Sequence, residues 1–220
     1  MEKKPHFNVL IATPGRNFVP EYVESVVNTC AWLSAQGLTY KFLSRYSSFV
    51  PSARELTATN SYTPNYDTNE IGSGEFTYDK IVWIDSDISW EVDTFKKLLD
   101  SDKDIISGIY QTGPSGIVAL ALPDDAGLLR QVNKVEFLLW EDPFEVIGVG
   151  FGFVAMKSGV FESIKRPWFL IERIQWPHLP FETNVGEDYS WCKRAIDAGY
   201  KIWADPNIKV LHHKDTIYQV

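Results

Sequence analysis

Short apolar runs alternate with helix-period segments through the first half of the chain, and this alternation narrows the available folds more than any other feature. HFNVLIAT (His6 to Thr13) reads as a buried strand. Val19, Tyr22, Val23, Val26, Val27 and Cys30 then recur at helical spacing, and the run ends near Gly37. LTYKFLSR (Leu38 to Arg45) predicts a second strand, and a helix starting at Pro51-Ser52 carries Arg54. KIVWI (Lys80 to Ile84) predicts a third strand, Ser89 caps a helix running to Leu99, and DIISGIY (Asp104 to Tyr110) predicts a fourth strand. The order predicts an α/β fold with a mainly parallel central sheet, flanking helices and right-handed crossovers. The polar stretch from Asn60 to Thr77 reads as a mobile loop.

The second half changes character. Strand-like pieces fall at Gly116 to Leu122, Val132 to Trp140 and Val146 to Met156, with a short helix over Ser158 to Ile164. GEDYSWCKRAIDAGY (Gly186 to Tyr200) reads as a helix with acids at its start and Gly199 at its end, and KIWADPNIKVLHH adds one or two strands. With no repeat, low-complexity tract or linker, the 220 residues predict one domain, a size α/β domains reach.

The net charge of −8, with no Lys/Arg run, argues against nucleic acid as a partner, because polyanion binding requires phosphate neutralisation. No segment approaches the 18 apolar residues of a membrane span. The apolar run in MEKKPHFNVLIAT is too short for a secretion signal and leads into Pro-Gly-Arg-Asn. Cys30 and Cys192 both sit in helical patterns as small buried hydrophobes, so the expected compartment is reducing and cytoplasmic.

The chemistry centres on IVWIDSDISW, where a buried strand ends on Asp85-Ser86-Asp87. If extended geometry persisted, the two carboxylates would share a face, beyond the carboxyl end of a strand where open α/β sheets bind ligands. Two hard oxygen donors there suit Mg²⁺ or Mn²⁺, and an imidazole partner such as His212 or His213 favours Mn²⁺. On the residues alone, one Asp could equally cap the turn while the other is solvated. Glu187 and Asp188 could do no more than offset a helix dipole, worth about 0.3–1 kcal/mol; functionally, one could serve as a base or orient a hydroxyl. Arg16 in the turn TPGRN, and Arg54, offer guanidinium groups for phosphate, or plain surface charge. VGVGFGF spaces its glycines as GxGxG with strand residues on both sides, so it is not a dinucleotide loop. It suggests close backbone approach within a strand, under a ligand.

In order, these pieces resemble the GT-A family of nucleotide-sugar-dependent glycosyltransferases over most of the chain. The strand plus TPGRN is similar to the family's nucleotide-binding start, VPSAREL to its arginine helix, and IVWIDSDISW to its Asp-x-Asp metal motif. VGVGFGFVAMKSGVFESI followed by RPWF resembles its acceptor-side strand and helix, and GEDYSWCKRAIDAGYKIWADPNIKVLHH its Glu-Asp helix and terminal histidine strand. Two departures stand out: Glu55 follows Arg54 where similar sequences often carry Asn, and the chain is short for the family.

The resemblance implies a GT-A (Rossmann-like) fold with a small antiparallel acceptor-side portion, residues 1–110 binding nucleotide and 111–220 serving acceptor and metal. It implies transfer of a hexose from a UDP-sugar, with UDP-glucose a candidate, to the hydroxyl of a glycan or small molecule, aided by Mn²⁺ or Mg²⁺. By that likeness Asp87, His212 and Asp85 ligate the metal. Thr13, Pro14, Arg16, Arg54, Asp85 and Ser86 contact the nucleotide. Asp188 is the catalytic carboxylate, and Glu187 holds sugar or acceptor hydroxyls. Two alternatives stay open. A nucleotidyltransferase or pyrophosphatase would need a richer phosphate loop than TPGRN. A non-catalytic carbohydrate-binding protein would use the eight tryptophans and ten tyrosines, most of which fall at core positions.

Overall fold

The computed structural model describes residues 3–63, 67–113, 116–125, 129–137, 139–175 and 182–214. In chain order, strand β1 (His6–Ala12) leads to helix α1 (Pro20–Ala35), β2 (Tyr40–Leu43) and α2 (Val50–Thr59). A 3₁₀ turn (Ile71–Gly74) precedes β3 (Thr77–Ile84), β4 (Ile88–Ser89), α3 (Val92–Asp100) and β5 (Ile105–Ile109). The second half contains β6 (Ile117–Pro123), β7 (Leu129–Asn133), α4 (Lys134–Phe137), β8 (Phe144–Val146), β9 (Gly148–Val149) and β10 (Phe153–Lys157). After α5 (Val160–Ser163) come β11 (Glu172–Gln175), β12 (Glu182–Val185), α6 (Glu187–Asp197), β13 (Ile202–Lys209) and β14 (Leu211–His212).

A seven-stranded sheet in the order β2-β1-β3-β10-β5-β13-β8 forms the centre. Strands β2, β1, β3, β5 and β13 point one way, while β10 and β8 run against them. Two- and three-stranded antiparallel sheets lie beside it. The continuous apolar runs follow from burial on both faces. On β3, Ile81 and Trp83 face a core shared with Phe161 and Trp191, whereas Val82 and Ile84 face one shared with Tyr22 and Phe95. Alternate side chains of one strand thus feed two apolar layers, one under α1 and α3 and the other under α5 and α6. Trp83 is fully buried, and truncating such a side chain costs about 3–5 kcal/mol.

Helix ends follow the sequence signals. Pro20 begins α1, and Gly37 at φ 70° closes it, with Leu38 N–H donating to the Leu33 carbonyl. Gly199 at φ 94° closes α6 in the same way, with Tyr200 N–H donating to Ala195.

Several local expectations are corrected. The strand expected over Val132 to Trp140 ends at Asn133, whose side-chain oxygen accepts from Val135 N–H and turns the chain into α4. The strand expected over Val146 to Met156 divides into β8, β9 and β10. Ser89 lies in β4 and does not cap α3, which starts after Glu91. Within the polar stretch, residues 64–66 lie outside the described residues. Beyond them, Asn69 fastens the chain by donating to the carbonyls of Glu162 and Ile164 and accepting from Arg166 N–H.

Two connections position the ends of β3 and β13. Asp85 N–H donates to the Gly152 carbonyl just ahead of β10, at 3.1 Å. Late in the chain, β14 pairs antiparallel with β4, His212 opposite Ile88, and His213 N–H donates to the Asp87 carbonyl at 2.8 Å.

Candidate active site

Extended geometry stops at Ile84. Ile88 N–H donates to the Asp85 carbonyl at 3.1 Å, so Asp85 to Ile88 form a turn. The two aspartates therefore have separate partners rather than a common strand face. Asp85 Oδ1 lies 3.1 Å from Arg54 Nη2, and Asp87 Oδ2 lies 3.1 Å from His212 Nε2 and 3.0 Å from Lys214 Nζ. Burial opposes ionisation of Asp87, but hydrogen bonds from His212 and Lys214 outweigh it and hold its pKa down at about 2. The same bond to Asp87 raises the pKa of His212.

Arg54 is almost wholly enclosed on α2, beneath the end of β3. Its Nε donates to Glu187 Oε1 at 3.1 Å and its Nη2 to Asp85, so one guanidinium joins two carboxylates from distant parts of the chain. Its third nitrogen, Nη1, is buried with no hydrogen-bond partner among the described residues. Phe151 lies 5.4 Å from the guanidinium carbon. Asp188 follows Glu187 in the first turn of α6 and accepts Tyr189 N–H at 2.8 Å. Burial, with the neighbouring charge of Glu187, pushes its pKa up to about 6 against the opposing pull of Tyr189 N–H and Arg54.

Beside these groups lies a cleft of about 300 Å³ lined in part by Pro14, Gly15, Tyr46, Arg54, Ser86 and Asp87. Gly15 adopts φ 131°, a conformation side-chain-bearing residues avoid, and turns the chain after β1 at the cleft wall. Arg16 is exposed, its guanidinium 4.5 Å from the centre of the Tyr46 ring. Thr13 is fully buried, and its hydroxyl is 2.6 Å from the Tyr22 hydroxyl, so its side chain faces inward.

The donor atoms at Asp87 suit a divalent cation. His212 Nδ1 lies 2.8 Å from the Gln111 carbonyl, which can only accept, so Nδ1 carries hydrogen. In the neutral ring, Nε2 then presents a lone pair toward a carboxylate oxygen that also presents lone pairs. A second imidazole proton, favoured by the raised pKa of His212, removes this opposition, and so would a metal; the Lys214 ammonium already donates to the same Asp87 oxygen at 3.0 Å. Among the described residues no group of three or more His, Cys, Asp or Glu side chains forms a metal cage. Magnesium-type sites commonly use one or two protein ligands, with water and substrate phosphates filling the shell.

Other features were not legible in the residues. Lys214 lies beyond any motif, and only the pairing of β14 with β4 brings it to Asp87. Tyr110 packs edge-on against His212 at 5.3 Å and accepts Gly152 N–H at 3.0 Å. His213 Nε2 bonds the Ser89 hydroxyl at 2.7 Å and not Asp87. Glu55 faces away from the cleft, pairing with buried Arg166 at 2.8 Å and accepting Trp168 N–H at 2.9 Å. The glycines of VGVGFGF admit aromatic rings: a Cβ on Gly148 would fall 2.2 Å from Tyr189, and one on Gly152 2.5 Å from Tyr110.

No family model and no curated protein matches the chain. Among solved structures it is similar to A197 from STIV, with a TM-score of 0.53 and 18% identity over 97% of each chain. It is also similar to GalNAc-T7, crystallised with UDP, GalNAc and Mn²⁺, with a TM-score of 0.54 and 12% identity over 96% of this chain. This chain covers 44% of GalNAc-T7. Drosophila beta1,4-galactosyltransferase 7, in complex with manganese, UDP-Gal and xylobiose, matches with a TM-score of 0.48 and 16% identity, over 95% of this chain and 71% of that one. The fold is GT-A-like: a mainly parallel central sheet flanked by helices, with small antiparallel sheets.

Proposed function

We propose that the chain is a divalent-cation-dependent glycosyltransferase that moves a hexose from a UDP-sugar to an acceptor hydroxyl. The observation that carries this reading is the Asp87–His212 pair, held 3.1 Å apart at the edge of a cleft, with the raised carboxyl of Asp188 close to Arg54. The GT-A-like fold is compatible with it, and GalNAc-T7 was crystallised with UDP, GalNAc and Mn²⁺. In this reading residues 1–110 and 111–220 are two halves of one domain, the first receiving nucleotide and the second completing the metal and acceptor sites.

Asp87 and His212 would hold Mn²⁺ or Mg²⁺. When bound, such an ion supplies Lewis-acid neutralisation of a departing diphosphate. Pro14, Gly15, Ser86 and Tyr46 form the walls that receive the nucleoside, with Arg16 at the rim. Arg54, already joined to Asp85 and Glu187, fixes both carboxylates in place for ribose or sugar hydroxyls. Asp188 takes the proton from the attacking acceptor hydroxyl. A carboxylate with a pKa of about 6 is ionised at neutral pH yet binds a proton more tightly than an ordinary one. Direct displacement assisted by one such base inverts the anomeric centre. The test is UDP release from a panel of UDP-sugars, UDP-glucose included, with Mn²⁺. Folded protein that neither binds nor turns over any member would refute the reading.

A further inference from the structure

The Asp87–His212 pair stands between two cavities. Asp87 lines the 300 Å³ cleft, while His212 lines a second cavity of about 530 Å³. The second is lined by Lys134, Lys209 and Lys214 over an apolar floor that includes Val118 and Phe137. No acidic side chain lines it among the described residues. That runs against the chain's net charge of −8. Lys214 is paired with Asp87, but neither Lys134 nor Lys209 has a carboxylate within ion-pair distance among the described residues. Lys209 Nζ stands 6.0 Å from the centre of the Phe137 ring.

We propose that this cavity receives the acceptor, and that the acceptor is a sugar bearing an anionic group, a phosphate monoester or a carboxylate. The inference rests on the transferase reading for the word acceptor, but its physical content is anion binding next to His212. Lys134 and Lys209 neutralise the anion, while the apolar floor meets the carbon skeleton of the sugar. A molecule seated there lies beside His212, while the nucleotide cleft is lined by Asp87.

The test is calorimetric titration with glucose 6-phosphate, glucuronate and glucose, without nucleotide or metal. Both lysines are exposed, so the Lys134→Ala/Lys209→Ala variant retains the fold. The expected result is binding of at least one charged sugar, no binding of glucose, and affinity roughly tenfold weaker in the variant. The tighter charged sugar identifies the group. Equal binding of glucose, undiminished binding by the variant, or no binding of either charged sugar overturns the proposal. UDP titration with Mn²⁺ on the same protein separates the two readings. If UDP binds and the charged sugars do not, only the cavity assignment falls. If the charged sugars bind through the lysines and UDP does not, the transferase reading falls.

Discussion

His212 Nε2 and Asp87 Oδ2 meet at 3.1 Å although 125 residues separate them. A backbone ladder makes the meeting obligatory: β14 pairs with β4, and His213 N–H closes onto the Asp87 carbonyl. The Asp87–His212 contact is thus set by main-chain hydrogen bonds, the kind of preorganisation that lowers the cost of binding.

Asp87→Asn is expected to weaken Mn²⁺-dependent UDP binding at least a hundredfold with little effect on folding. Asp87 is about one-third exposed, so losing its pairs costs about 1 kcal/mol or less. Its pKa of about 2 lies below the ordinary 3.8, so its contribution is present above pH 4 and fades as pH falls toward 2. Calorimetry with UDP and Mn²⁺, beside urea unfolding at pH 7, checks both parts.

Asp188→Asn is expected to lower turnover about a hundredfold or more while largely sparing UDP affinity. Activity of the parent should rise with pH through an apparent pKa near 6, and this limb should vanish in the variant. The sign for stability is opposite to that of Asp87. A raised acid opposes folding once ionised, so the parent loses stability as pH climbs from 3.8 to 6. The variant should therefore be more stable by about 1–2 kcal/mol at pH 7.5, with no advantage below pH 4. Urea unfolding at the two pH values measures this.

Arg54→Ala leaves Asp85 and Glu187 facing each other without a cation, a change expected to cost about 3–5 kcal/mol at pH 7. Arg54→Lys keeps the charge but cannot fork to both acids, and should recover only part of the loss. Thermal melts of the parent and both variants at pH 7 give the comparison.

Gly148→Ala drives a methyl group into Tyr189, the residue after Asp188. Overpacking of this kind costs about 1–3 kcal/mol. Tyr189→Ala in the same chain should relieve much of it, giving a non-additive double-mutant cycle in chemical denaturation.

The early strands and helices were legible because each run reports its own burial: IVWI (Ile81 to Ile84) can only be apolar throughout if both sheet faces are covered. Partner choice was not legible. β10 inserts antiparallel between β3 and β5, and nothing in FVAMK records its neighbours. At the site, the residues offered Asp85, Asp87, His212, Glu187 and Asp188 as candidates, and the fold brings them to two connected clusters. The separation of Asp85 from Asp87 was hidden because it depends on a turn closed by Ile88 N–H. Glu55 looked like a flaw in the arginine helix, yet its partner Arg166 lies 111 residues away. The glycines signalled close approach, and the rings that approach come from β5 and α6 neighbours far along the chain.

The most direct test of the central claim is the electron paramagnetic resonance signal of free Mn²⁺, titrated with the protein in the presence of UDP. The account predicts that the parent removes the free-ion signal at a ratio of one ion per chain, and that neither Asp87→Asn nor His212→Ala does so at the same concentrations. Loss of signal to the same extent in all three proteins would contradict it.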